Sequence, residues 1–164
     1  MQIVITLLST DNANDHDVVA LNAVSVALAV SNVPWNGPVA AVRMGQVSSP
    51  EENLIVNPLF SEMEFSNLDL VVSSNSEGII MLEAGAKQVG EETMAKAVET
   101  AHKENEKIIK ATYELVKEVG QDKFPYTPHE LDKELVAEIE KKHLKEIAEY
   151  ITIADPESKA NSSA

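Results

Sequence analysis

Residues 68–84, LDLVVSSNSEGIIMLEA, place two apolar runs on either side of a polar tetrapeptide, and a long helical pattern follows them after Gly90. Leu68–Ser73 and Gly78–Ala84 read as strands, because β-branched and apolar residues cluster there between turn formers. The turn Ser74-Asn75-Ser76-Glu77 is short enough to join them as a hairpin, although it lacks the favoured Asn-Gly pair. Glu91–Val119 then reads as one helix. Met94, Val98, Ala101, Ile108, Thr112, Leu115 and Val119 recur at spacings of three and four, with Asn105 interrupting the stripe. Glu91 and Glu92 suit the positive start of that helix, and Gly120 suits its stop. Strand, strand and helix in this order predict an α+β fold.

On the N-terminal side the same alternation of elements continues. Gln2–Leu8 is a β-branched run that reads as a buried strand. Thr10-Asp11-Asn12-Ala13-Asn14-Asp15 is a turn cluster in which Asp15 or a neighbour caps the next helix, Asp17–Ser31. Ala20, Ala23, Ala27 and Ala29 give that helix a close approach to a sheet. Pro34, Gly37 and Pro38 end it. Val39–Val47 and Leu54–Asn57 are two further strands around the turn Ser48–Asn53. On the C-terminal side, Gln121–Tyr126 is a linker. Thr127-Pro128-His129-Glu130 has the pattern of a capping box with proline at the first helical position. The helix it opens runs to about Tyr150, with Leu131, Leu135, Ile139, Leu144, Ile147 and Ile151 on one side. Asp155–Ala164 is short and polar and is expected to be a disordered tail.

Charge and composition remove several function classes. The chain has 164 residues, 44% of them hydrophobic, and no cysteine, which excludes disulfides and zinc–thiolate sites. Its longest apolar stretch, Val18–Val30, is too short and too polar to span a bilayer. The net charge is −14, and Arg43 is the one arginine. Nucleic-acid affinity depends on Lys and Arg displacing counterions from phosphates, so this chain alone should repel RNA.

Several segments, taken in order, resemble the first core of polynucleotide phosphorylase. They are Ser9–Asn12 with Asp17–Ala23, Val33–Val39 with Ala41-Val42-Arg43 and Gly45, Val56-Asn57-Pro58 with Glu64 and Leu68–Val72, and Met81–Ala86. Residues 127–151 resemble, more weakly, the first helix of that family's helical domain. The resemblance implies a partial RNase PH-like core over residues 1–90, a long helix closing it over 91–120, a linker over 121–126, the start of the all-helical domain over 127–151 and a tail over 152–164. It also implies the activity of a 3′-to-5′ exoribonuclease. Phosphate attacks the terminal phosphodiester, a nucleoside diphosphate leaves, and Mg²⁺ neutralises charge at the scissile phosphate. Three chains form a ring, RNA is bound through the full-length enzyme, and the compartment is the cytoplasm or an organelle, with no membrane.

The same resemblance implies that the chemistry lies elsewhere. The family's catalytic core carries two aspartates six residues apart and a lysine two residues after the second. Here the matching positions are Met63, Asp69 and Val71, so one group of the three is present. Glu62 and Glu64 are near in sequence but out of register for a strand. The phosphate-site serines belong to the other core, and the arginine-bearing RNA loop lies upstream of Met1. No catalytic or metal residue is therefore carried onto this chain, no cofactor is expected in it, and its RNA-contacting residues are unassigned. A partner fragment supplying the rest of the core would make the chain a non-catalytic scaffold.

Other constellations have simpler readings. Asp11–Asp17 resembles a calcium loop, but Ala13, His16 and Asn22 stand at positions that need a ligand, a glycine and a bidentate glutamate. His102 and Glu106 are one helical turn apart with no third ligand evident. Ser9, Ser25 and Ser61 lack the glycines of a nucleophile elbow. Arg43 fits equally a contact with RNA or a neighbouring subunit, and an internal salt bridge. Glu99→Lys103 and Glu106→Lys110 are favourable i,i+4 pairs on a solvated helix face. Trp35 fits a plug at the end of the core better than an intersubunit contact.

Overall fold

In the sheet of this protein, alternate residues of two neighbouring strands point to the same side, and one helix covers that side. The computed structural model describes residues 2–48 and 52–152. Two units are distinguished, Met1–Pro125 and Tyr126–Ala164. The first contains α1 (His16–Val30), β1 (Ala40–Ser48), β2 (Glu52–Val56), α2 (Phe60–Met63), β3 (Ser66–Ser74), β4 (Ile79–Ala86) and α3 (Glu91–Val119). The second contains α4 (Lys133–Thr152). The strands form one antiparallel sheet in the order β2-β1-β3-β4. The expected α+β class is thus the observed one, and β3 and β4 pair as the hairpin read from residues 68–84.

The core follows from the pleat. Val42 and Met44 of β1 and Leu68, Leu70 and Val72 of β3 face one side and meet Ala97 and Ala101 of α3. Each large side chain removed from water here contributes about 1.5–3 kcal/mol, and the two alanines let the helix axis come close to the sheet. Asn105 lies on this same buried face and does not interrupt it. Its amide nitrogen donates to Val72 O at 3.0 Å and to Ser74 Oγ at 2.9 Å. A polar residue fits because it pairs with groups near the end of β3. The helix stops at Gly120, where a Cβ would stand 2.3 Å from Val116 O, the carbonyl that accepts the Gly120 amide at 2.8 Å.

β1 also receives α1, which packs against α3 as well. Asp15 caps this helix, its carboxylate accepting the Asp17 amide at 2.9 Å. Asn22 and Ser25, the polar breaks in the apolar run, are its docking groups. Asn22 bonds both the amide and the carbonyl of Ala41 at 2.9 Å, and Ser25 Oγ accepts the Val39 amide at 3.0 Å. Of the small residues expected to face the sheet, Ala29 is buried, whereas Ala23 and Ala27 line an outer groove. The orphan carbonyls at the end of α1 are satisfied from residues 121–124. Lys123 Nζ donates to Leu28 O, Ala29 O and Ser31 O, and the Gln121 amide donates to Val30 O.

Two expectations are corrected. Gln2–Leu8 forms no strand: it is exposed, and among the described residues no strand pairs with it. The capping box at Thr127–Glu130 opens no helix. Asp132 takes that role, accepting the Glu134 and Leu135 amides, and α4 starts at Lys133. The short helix α2, held by Glu62 Oε2 accepting the Leu59 amide at 2.7 Å, has no counterpart in the sequence reading. Residues 153–164, which include the expected tail, lie outside the described residues.

Replacing Asn105 with alanine should destabilise the first unit by about 2 kcal/mol, since Val72 O and Ser74 Oγ then lose a buried partner. Ser74→Ala, which leaves the bond to Val72 O intact, should cost less. Urea denaturation followed by circular dichroism measures both, and equal losses would contradict the described network.

Candidate functional site

On the side of the sheet away from α3, the residues that alternate with the core residues come together. Arg43 of β1 is flanked by Val71 of β3, and Val71 by Glu83 of β4. Gly45, Asp69 and Gly85 form the next cross-strand row. A concavity of about 470 Å³ lies on this face, lined by Asp17 and Leu21 of α1 and by Arg43, Asp69, Met81 and Glu83 of the strands, among others.

Arg43 organises this face. Its Nε donates to Asp15 Oδ2 at 2.5 Å, and its Nη1 donates to Asp69 Oδ1 at 2.7 Å. The Asp15 side chain is 6% exposed, Arg43 19% and Asp69 48%. The backbone of Arg43 is held as well: Asn57 Oδ1 accepts its amide at 3.0 Å and the Asn57 amide donates to its carbonyl at 2.7 Å. Burial works against the guanidinium charge. The hydrogen bond and charge of Asp15, with a further contribution from Asp69, outweigh it and raise the Arg43 pKa above its ordinary value. One carboxylate, that of Asp15, therefore both caps α1 and anchors the guanidinium to which Asp69 is bound.

Of the two readings open for Arg43, the internal salt bridge is the one observed. Asp69, which the sequence resemblance sets against a metal-binding aspartate, accepts from Arg43, a cation of the chain itself. Met63, six residues earlier, ends α2, and its sulfur would lie 3.3 Å from a Cβ placed on Gly45. Glu62 is used in holding α2. A magnesium ion demands near-octahedral oxygen ligation. Asp69, bonded to a guanidinium and with Met63 and Val71 at the two companion positions, does not meet that demand. Among the described residues no group of three His, Cys, Asp or Glu side chains is placed to hold a metal.

The remaining candidates are dispersed. Asp11 accepts the Ala13 and Asn14 amides at 2.9 Å in a tight turn. His102 is half-buried with Nδ1 unpartnered, and no ion pair joins it to Glu106 among the described residues. Lys103 pairs with Glu99, and Lys107 pairs with Glu104. Ser25 binds the Val39 amide. Trp35 is half-buried with its ring against Gly37. Sequence reading missed Asp15 and Asn57 as partners of Arg43. The signal available was the burial of a lone arginine in an acidic stretch, which requires an acidic partner.

Comparison with known proteins was consistent with this fold. Residues 37–104 match the family described as 3′ exoribonuclease family, domain 2. Over 141 residues the chain is 43% identical to the polyribonucleotide nucleotidyltransferase of Koribacter versatilis, covering 86% of this chain and 17% of that protein. It is 40% identical over 141 residues to the enzyme of the same name from Halothermothrix orenii, covering 86% of this chain and 20% of that protein. It is 42% identical over 130 residues to that of Thermus thermophilus, covering 79% and 18%. The chain thus spans 17–20% of the length of these relatives.

Removing Arg43 should leave the buried Asp15 carboxylate unpaired and destabilise the first unit by about 3 kcal/mol in Arg43→Met. Asp69→Ala, which loses a half-exposed partner, should cost less than about 1 kcal/mol. Thermal or urea unfolding of the two variants checks this order, and the reverse order would refute it. The Asn14 and Ala13 amides, with the Asn14 side chain, hold the Asp11 carboxyl down to about 2. A depressed carboxylate favours the folded turn above the unfolded value, about 3.9. That contribution is lost as pH falls through about 2. Carboxyl-detected NMR titration should show Asp11 titrating well below the ordinary aspartate value, about 3.9.

Proposed function

Because this chain belongs to the polyribonucleotide nucleotidyltransferase family, we propose that it is a structural piece of a phosphorolytic 3′-to-5′ exoribonuclease and does no chemistry by itself. The whole enzyme would cleave RNA with phosphate, release nucleoside diphosphates and act in RNA degradation in the cytoplasm or an organelle. Mg²⁺ would be a cofactor of that whole enzyme and not of this piece. RNA would be bound through the whole enzyme, and three copies of the enzyme would form its ring.

The observation that carries this reading is the commitment of Asp69 to Arg43, with Met63 and Val71 at the two other positions of the family's metal-and-phosphate constellation. An aspartate already bonded to an internal cation, without a second carboxylate, offers little to a divalent ion beside a phosphodiester. The excess of acid over base points the same way for RNA binding by the isolated chain.

A second reading has the chain as a ring-assembly or scaffold module that folds with a separately encoded partner fragment. It is supported by the apolar surface left uncovered, on β4 and, in the second unit, along α4, where Leu135, Ile139, Leu144 and Ile147 are all exposed. Surfaces of this kind mark association sites.

The purified chain, incubated with poly(A), inorganic phosphate and Mg²⁺, should release no nucleoside diphosphate above a no-protein control. A whole family enzyme run in parallel should release it readily. Robust phosphate-dependent release by the chain alone would refute the proposal.

A further inference from the structure

An α-helix leaves its last carbonyls without partners inside the helix, and α1 has no basic residue in its last turn to meet them. The Ser31 amide closes the helical ladder on Ala27 O, so the open carbonyls are those of Leu28, Ala29, Val30 and Ser31. A segment that follows α3, far along the chain, bonds every one of them. Lys123 Nζ donates to Leu28 O and Ala29 O at 2.9 Å and to Ser31 O at 2.5 Å. Ser31 Oγ shares Leu28 O at 2.9 Å. The Gln121 amide donates to Val30 O at 2.9 Å, and the Phe124 amide donates to Asn32 O, just beyond the helix, at 3.0 Å.

Residues 121–124 are neither helix nor strand. Among the described residues, their hydrogen bonds all end on residues 28–32. The three N–H donors of the Lys123 ammonium meet three carbonyls, and its charge sits at the negative end of the helix dipole. Pro125, two residues on, is the last residue of the first unit. Residues 126–132 then run exposed and without regular structure to α4.

We propose that residues 121–124 form a strap, closed by the ammonium of Lys123 on the end of α1, that fixes where the chain leaves the first unit. With the strap closed, the free connection to α4 is residues 126–132. With it open, the connection lengthens to residues 121–132, and the reach of a flexible segment grows as the square root of its length. Lys123 is thus a positioning residue, and one charge on an exposed side chain decides the length of the tether. Without that charge only the Gln121 and Phe124 bonds remain, two neutral contacts that hold an irregular segment weakly. The inference rests on the chemistry of a helix end and is independent of the enzymatic reading.

Hydrogen exchange and amide NMR relaxation on the full chain test it. In the wild type the Gln121 and Phe124 amides should be protected, although they lie outside helix and sheet. Lys123→Met should speed exchange of both by about tenfold and lower their order parameters from about 0.85 to below about 0.6. The Asp17 amide, at the other end of α1, should exchange as before. Lys123→Arg, which keeps the charge and the donors, should retain most of the protection. If Lys123→Met does not fold, the wild type gives an independent measure. Trypsin should cut after Lys123 far more slowly in the native chain than in a synthetic peptide of residues 118–130. Unchanged exchange in Lys123→Met, a loss in Lys123→Arg equal to that in Lys123→Met, or native cleavage as fast as that of the peptide would each overturn the proposal.

Discussion

The packing of α3 on alternate residues of β1 and β3 is the constraint from which the rest of the first unit follows. Val42, Met44, Leu68, Leu70 and Val72 all point to one side, and Ala97 and Ala101 let the helix settle on them. Because the strand period is two, this choice sends Arg43, Asp69 and Val71 to the opposite side. The helix packs on β1 and β3, and β4 is exposed along its length. The ion pairs on one face and the bare β4 edge are thus two consequences of the same packing.

On that opposite face a buried arginine needs compensation, and it obtains it from two elements at once. Asp15 is fixed as the N-cap of α1, and Asp69 is fixed by the register of β3 against β1. The Arg43 junction therefore fastens the start of α1 to the sheet through charge. The chemical consequence is that the Asp69 carboxylate is paired with a guanidinium of the same chain.

Much of this was legible in the sequence, and the misses have physical causes. α3 was readable end to end because its period, acidic start and terminal glycine agree. The hairpin was readable because two apolar runs flank a polar turn. Asn105 and Asn22 looked like interruptions, since periodicity counts apolar residues and cannot see a side-chain amide paired to a strand. Gln2–Leu8 has strand composition, but a strand also needs a neighbour, which local sequence does not report. At the start of α4 two capping signals compete five residues apart, and Asp132, whose carboxylate bonds two amides, is the one used. For the site, the lone Asp69 was visible, while its partner was not. The bond between Arg43 and Asp69 depends on strand register.

The most direct test is a crystal structure of the chain soaked with Mn²⁺, as a visible substitute for Mg²⁺, and phosphate. The account predicts Arg43 Nη1 still on Asp69 Oδ1 and no anomalous density beside that carboxylate. An ordered ion bound to Asp69, at the short distance of direct carboxylate ligation, with Arg43 displaced, would contradict it.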